Sequence, residues 1–267
     1  MTYFQTIILA IVQGATEFIP ISSSGHLVLV RAWFGWSDEG GVVLDTVLHA
    51  GSLLAILLYF WREWVSILQS RRSPNGEDAT FYRKLPLLLS VATLPIFFTG
   101  PFIAEHLERF RNGGIVGLFM IITAGWFFIC ENKKKDKAPT FTYRTALLMG
   151  LVQIIALIPG VSRSGVTTAT GVLCGQKREN AARFSFFMAI PAIIGAIILK
   201  SPEMLSGTHL GLPSSILWVG FVTCFTVSFF CIHFCLQLFR KYSLVGLGIY
   251  LAGVGIVLVC IKHVYIF

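Results

Sequence analysis

Six stretches of this chain are apolar over the length a helix needs to cross a lipid bilayer, and that pattern rules out a water-soluble globule. They fall at about 45–61, 86–104, 114–131, 183–200, 214–238 and 244–261, each near the ~20 residues that cover a hydrocarbon core of ~30 Å. Charge is correspondingly scarce. Only 13% of the 267 residues are charged, against about 25% in a soluble domain. So few charges cannot coat a water-facing surface, and the expected fold class is an all-α integral membrane protein with six transmembrane helices.

Two more apolar stretches are too short to cross. Thr6–Ile19 runs into Pro-Ile-Ser-Ser-Ser-Gly-His, and Thr145–Ile158 runs into Pro-Gly-Val-Ser-Arg-Ser-Gly. At ~1.5 Å per residue each helix is only about 20 Å long. The chain turns apolar again after each knot, at Leu27–Val30 and at Val166–Cys174. This reads as two re-entrant helix-loop-helix hairpins, spanning about 2–34 and 143–176, that enter, break and return. Backbone that breaks at depth needs protein or a watery cavity to satisfy it. The first Lys or Arg is Arg31, so the N-terminal stretch lacks the positive region of a signal peptide and is read as part of the folded chain. The six cysteines form no CxxC pair and are read as small buried apolar residues.

The basic residues are distributed unevenly. With the loop 62–84 placed in the cytoplasm, fifteen Lys and Arg fall in inside loops and five (Arg31, Arg109, Arg111, Lys200, Lys262) in outside regions. That is a positive-inside bias. It puts both termini outside and accounts for the net charge of +8 without nucleic acid as a partner. The segments 70–78 and 132–140 read as solvated linkers. Arg163 is the one remaining basic residue, and no loop claims it.

The two knots are related. A shift of 140 places Val12-Gln13 on Val152-Gln153 and Ser22, Ser24 and Gly25 on Ser162, Ser164 and Gly165. Each half then holds a hairpin and three spans, 1–131 and 143–267, joined by a cytoplasmic linker at 132–142. Three is odd, so the halves are expected to run as an inverted repeat, an arrangement that frames a binding site where its broken helices meet.

The knots carry the polar chemistry. Glu17 lies one helical turn after Gln13, and a carboxylate in an apolar stretch is a functional candidate. Three hydroxyls (Ser22, Ser23, Ser24) and His26 follow, and an imidazole titrates near neutrality. His26 is expected where the second helix of its hairpin begins, just after Gly25. In the second knot Arg163 is a permanent cation whose guanidinium suits phosphate. Ser162, Ser164 and Thr167 flank it as donors, and Gly165 is expected to open a helix whose first amides add to an anion cradle. A structural Arg163–Glu17 ion pair is the plain alternative. An acid, an imidazole, a guanidinium and hydroxyls suit phosphoryl transfer, where positioning and charge stabilisation dominate. An anionic substrate beside Glu17 further implies a divalent cation between them. A site in the membrane implies a substrate with a lipid tail. His49, at the start of a span, reads either as packing or as a contact to the site, and His233 as a core residue.

At these residues the chain resembles the undecaprenyl-diphosphate phosphatase (bacitracin-resistance) family over essentially its whole length. The family's first signature, (E/Q)xxxE leading to PxSSxGH, is matched by Gln13, Glu17, Pro20, Ser22, Ser23, Gly25 and His26. Its second, PGxSRSGxT, is matched by Pro159, Gly160, Ser162, Arg163, Ser164, Gly165 and Thr167. The resemblance implies hydrolysis of undecaprenyl diphosphate to the monophosphate and phosphate in the bacterial inner membrane. That reaction recycles the lipid carrier of peptidoglycan synthesis and lowers the target of bacitracin. It also implies six spanning helices with two re-entrant pairs, an active site opening outward, and a need for Mg²⁺ or Ca²⁺, with Glu17 as the metal residue. Glu17 and His26 would be catalytic, Arg163 would bind diphosphate and Ser23 would be a candidate nucleophile with neighbouring His26 as its base, the alternative being water activated by His26 or Glu17. Gln13, Ser22, Ser24, Gly25, Ser162, Ser164, Gly165 and Thr167 are the candidate substrate contacts. A homodimer is admitted. The rival reading is a polyprenyl-phosphate transporter or flippase on the same repeats; a scaffold without chemistry would leave Glu17, His26 and Arg163 unexplained.

Overall fold

The computed structural model describes residues 1–36, 40–70, 77–108, 110, 112–133, 141–205 and 212–260. The linkers expected at 70–78 and 132–140, with their basic residues, lie largely outside them, as do Arg109, Arg111 and Lys262.

Every element is a helix. The first half holds α1 (Tyr3–Thr16), α2 (Ser23–Phe34), α3 (Gly41–Tyr59), α4 (Trp61–Ser70), α5 (Glu77–Glu108) and α6 (Gly113–Asn132). The second holds α7 (Tyr143–Ile155), α8 (Arg163–Leu173), α9 (Arg178–Leu205), α10 (Ser214–Lys241) and α11 (Leu244–Cys260). Among the described residues, five helical segments are long and apolar enough to cross a membrane: Gly41–Tyr59, Phe81–Ile103, Gly113–Asn132, Arg178–Pro202 and Ser214–Lys241. The sixth expected span, α11, has 17 described residues, or roughly 26 Å at ~1.5 Å per residue. Large apolar side chains such as Phe97, Phe98, Phe102 and Trp218 face outward, as lipid contact requires and water contact does not. The protein is a multi-pass membrane protein.

The same capping devices start the short helices of both halves. Thr2 caps α1, with Gln5 completing a capping box. Thr142, 140 residues later, caps α7 by accepting from the Thr145 amide at 3.1 Å. Ser22 caps α2 by accepting from the Gly25 amide at 3.3 Å, and Ser162 caps α8 from the Gly165 amide at 3.2 Å. An N-cap hydroxyl satisfies an amide that the helix itself cannot. Inside a membrane that satisfaction decides whether a break is tolerated.

The helices of one half pack mainly on the other. α1 and α3 pack on α10, while α7 and α9 pack on α5; α3 meets α9, and α6 meets α11. The α6–α11 contact is close because Gly117 and Gly255 face each other. A Cβ on Gly117 would sit 2.5 Å from the Gly255 carbonyl oxygen, and one on Gly255 2.6 Å from that of Gly117. Small residues that let backbones approach are what drives helix association in lipid, where apolar surface alone gives no preference.

Several expectations need correction. α2 begins at Ser23 and α8 at Arg163, so Gly25 and Gly165 sit within first turns rather than opening them. The stretch after Phe60, read as loop, is the amphipathic helix α4. Arg31, assigned to an outside loop, is buried on α2 and paired with Asp45 of α3. Arg178 and Arg183 also lie on a helix, paired with Glu131 and Glu63, so Arg163 is not alone in that respect. His233 is exposed, bonded to Tyr59 and Gln237. Cys130, Cys224 and Cys235 are buried, but Cys260 is exposed and Cys174 and Cys231 only half-buried. Gly117→Val should lower the Tm of the detergent-solubilised protein, since forcing a branched side chain into a packed contact costs about 1–3 kcal/mol.

Candidate active site

The two knots fold against each other. The Gly160 amide donates to Ser24 Oγ at 3.3 Å, which fastens the second break to the first. Ser24 Oγ in turn lies 3.3 Å from Ser22 Oγ. Ser22 holds φ at +71°, a left-handed conformation and the one such case among described non-glycine residues. Backbone held there costs about 1–3 kcal/mol and persists where the surroundings over-determine it. Here the Ser22 carbonyl accepts from both the backbone amide and Nδ1 of His26, at 3.2 and 2.8 Å. Gly160 is also left-handed, and a Cβ there would meet the Val116 carbonyl oxygen at 2.3 Å. That break is therefore seated directly on α6.

Glu17 is the centre of the arrangement. It is buried, and its two oxygens are fully engaged. Oε1 pairs with Nη2 of Arg163 from the other half of the chain. Oε2 accepts from Gln13 Nε2 at 2.9 Å and from Ser23 Oγ at 2.7 Å, with His49 Nε2 at 3.8 Å. The ion pair named as the plain alternative is thus present. It does not exhaust Arg163, because Nη1 is buried and has no hydrogen-bond partner among the described residues. A guanidinium with one free prong beside a serine that already shares the carboxylate is arranged to receive an oxyanion.

These groups line a cavity of about 330 Å³. Glu17, Ser22, Ser23, Ser24, Ser162, Arg163 and Ser164 form its polar end, and Ile96, Ala192, Ile193 and Ala196 belong to an apolar wall from α5 and α9. Of the residues expected to meet substrate, Gln13, Gly25, His26, Gly165 and Thr167 are not in the lining. Gln13 instead holds Glu17. Gly25 and Gly165 give their amides to the serine caps, and a Cβ on either would strike Met120 Sδ at 2.7 Å or Phe127 Cζ at 2.6 Å, both on α6. Thr167 Oγ1 is taken by the Arg163 carbonyl at 2.7 Å and by Ser185 at 2.6 Å, bracing the start of α8. His26 is held at both nitrogens: Nδ1 donates to the Ser22 carbonyl, and Nε2 lies 2.9 Å from the Tyr250 hydroxyl of α11. With Nδ1 protonated, Nε2 accepts the tyrosine proton and has no lone pair left for Ser23.

His49, read as packing or as a contact to the site, lines the cavity, its Nδ1 donating to the Asp45 carbonyl at 2.6 Å. Gln153, noted only as a repeat mate, lines it as well. Arg31 and Asp45, outside that lining, form a two-pronged buried pair at 2.6 and 3.2 Å, with Asp45 one turn before His49 on α3. Asp45, His49 and Ser52 stand at i, i+4 and i+7 on α3, a polar stripe that marks one face, whereas Gln153 sits among apolar residues at the end of α7.

No group of three or more His, Cys, Asp or Glu among the described residues is close enough to hold a metal by itself. Glu17 is the one carboxylate in the cavity lining, and Gln13 Oε1 is a buried oxygen beside it without a donor. This donor set fits a hard cation that takes one carboxylate and completes its shell with substrate phosphate oxygens. It does not fit a self-sufficient metal centre.

The chain was compared with known proteins. The family model described as "Bacitracin resistance protein BacA" matches residues 6–257. Undecaprenyl-diphosphatase 4 of Bacillus thuringiensis is 33% identical over 270 residues, covering 100% of both chains. Undecaprenyl-diphosphatase 3 of Bacillus cereus is 34% identical over the same length and coverage. Undecaprenyl-diphosphatase 1 of Pseudoalteromonas translucida is 34% identical over 263 residues, 96% of this chain and 98% of its own.

Asp45→Asn removes the carboxylate charge that faces the buried Arg31 guanidinium, and breaking a buried pair by neutralising one partner costs about 3–5 kcal/mol. A clear fall in Tm is expected by calorimetry or thermofluor in detergent.

Proposed function

This chain belongs to the bacitracin resistance protein BacA family, and on that premise we propose that it hydrolyses undecaprenyl diphosphate to undecaprenyl phosphate and inorganic phosphate. The observation that carries the reading is the convergence of Ser23 and Arg163 on Glu17 from two separate breaks, in a cavity whose lining also includes an apolar wall of Ile96, Ala192, Ile193 and Ala196. A soluble phosphate ester needs no such wall; a prenyl chain does.

In this mechanism Arg163 turns its unpaired nitrogen to the terminal phosphate, and the hydroxyls of Ser162 and Ser164 add donors. Ser23 Oγ attacks the terminal phosphorus. The bond from that phosphorus to the bridging oxygen breaks, and its electron pair leaves with the lipid monophosphate. Ser23 gives its proton to Glu17 Oε2, which already accepts its hydrogen bond. Water then cleaves the phosphoserine and releases phosphate. His26 keeps the strained Ser22 carbonyl in place, a positioning part rather than that of the base. Glu17 is the residue that would hold Mg²⁺ or Ca²⁺; the cation supplies neutralisation of the diphosphate charge.

The proposed membrane arrangement is six spanning helices and two re-entrant pairs in an inverted repeat. The reciprocal packing of α1 on α10 and α7 on α5, and the shared caps 140 residues apart, support it. On the bias of the basic residues both termini lie outside; the family resemblance implies that the site opens outward and that the membrane is the inner one. A homodimer is compatible with this arrangement.

Phosphate release from a C55 diphosphate by the purified protein in detergent tests the class of activity. A transporter would release none. Arg163→Ala and Glu17→Ala are each expected to lose at least ~100-fold, the scale of removing a key electrostatic group; near-native rates in both would sink the site. Chelation by EDTA should abolish release, and added Mg²⁺ or Ca²⁺ should restore it.

A further inference from the structure

The two halves repeat a scaffold but not all of its polar groups. In the first half Gln13 donates its amide to Glu17, four residues on. The mate of Gln13 is Gln153, and the residue four positions after Gln153 is Leu157. The acceptor is missing. Gln153 is fully buried, and among the described residues neither Nε2 nor Oε1 has a hydrogen-bond partner. A buried carboxamide with nothing bonded to it is expensive, at about 1–3 kcal/mol for each unsatisfied group, and it calls for an explanation. Packing does not provide one, because a Leu would fill a similar volume without that cost. Its place does. Gln153 lies in the cavity lining on α7, beside Ala156 and Leu157, with Ile96 and Ile193 among the other apolar residues that line it. The polar end, with Ser23 and Arg163, receives the phosphate that is cut. A diphosphate has a second phosphate between that end and the prenyl chain.

We propose that Gln153 contacts the substrate, its Nε2 donating to a non-bridging oxygen of the phosphate that stays with the lipid. The site then grips a diphosphate at both phosphates and inorganic phosphate at one. This rests on the hydrolase reading above and adds to it the residue that distinguishes diphosphate from phosphate. Oε1, on the other side of the amide, is left to accept from a substrate-bound water.

Binding of two probes to the detergent-solubilised protein tests this: a prenyl methylene-diphosphonate, which keeps both phosphorus groups and resists cleavage, and inorganic phosphate. Gln153→Leu should weaken the diphosphonate by ~10-fold or more, the scale of a hydrogen bond to a charged group, and leave phosphate within about twofold. Its Tm should hold or rise, because an unsatisfied amide is replaced by an apolar side chain. Gln153→Asn, one methylene shorter, should show the same selective loss. Unchanged diphosphonate affinity, an equal loss for both probes, or a fall in Tm accompanying the loss overturns the assignment. Arg163→Ala should weaken both probes and so marks what a defect at the polar end looks like. If wild-type protein neither binds the diphosphonate nor releases phosphate, the hydrolase reading fails and takes this inference with it. If wild type does both and Gln153→Leu matches it, the Gln153 assignment alone falls.

Discussion

The Glu17–Arg163 ion pair joins the two halves in the buried interior of an apolar protein, where unpaired charge is least tolerable. Each partner is required by the other, since removing one leaves a buried charge without compensation. The rest of the site is arranged around that necessity. Gln13 and Ser23 saturate the second carboxylate oxygen. Ser24 straps the breaks together through the Gly160 amide. The pair nevertheless leaves one guanidinium nitrogen bare. A resting state with the cation only half satisfied is one an incoming phosphate can complete without first dismantling the scaffold.

The scaffold was built twice and differentiated by single residues. Threonine caps, short helices, serine caps and a glycine packed on α6 recur at the 140-residue interval. The charged groups do not. Ser22 and Ser24 recur in the lining as Ser162 and Ser164, but Ser23 corresponds to Arg163, Glu17 to Leu157 and His26 to Val166. One half thus supplies the carboxylate, the other the guanidinium.

Much of this was legible in the residues. Two apolar runs too short to cross, each ending in Pro, Gly and Ser, announced the breaks, and the helices do stop there. Glu17 and Arg163 stood out because charge in lipid needs a partner, and they are each other's. Less visible was which hydroxyls and glycines meet the cavity. A serine capping a helix and a serine facing a ligand look identical in a motif, so Ser162, which does both, and Thr167, which braces Ser185, could not be separated. Gly25 and Gly165 were read as openers of helices. What fixes them is a clash with Met120 and Phe127, nearly a hundred residues from Gly25 and about forty from Gly165. His26 was placed beside Ser23 by proximity in sequence, yet its free nitrogen meets Tyr250, 224 residues away. Gln153 comes from the apolar end of α7, where no periodicity marks an inward face, whereas Asp45 and His49 stand one turn apart on α3 and with Ser52 mark one.

A break in a membrane helix solves a problem that an intact helix cannot. A continuous span bonds all of its own amides and carbonyls and offers a ligand side chains alone, along a face of fixed pitch. A broken helix exposes backbone groups that must be satisfied, and lipid supplies nothing to do so. In both knots the serine caps, the Ser24–Gly160 bond and the glycine contacts with α6 satisfy them internally. Among the described cavity-lining residues, the buried side-chain atoms left without a partner are those of Arg163 and Gln153. The unsatisfied polarity of the site has been moved from groups that every sequence carries to groups that this sequence chose, which is what allows a cavity in lipid to be selective for one anionic headgroup.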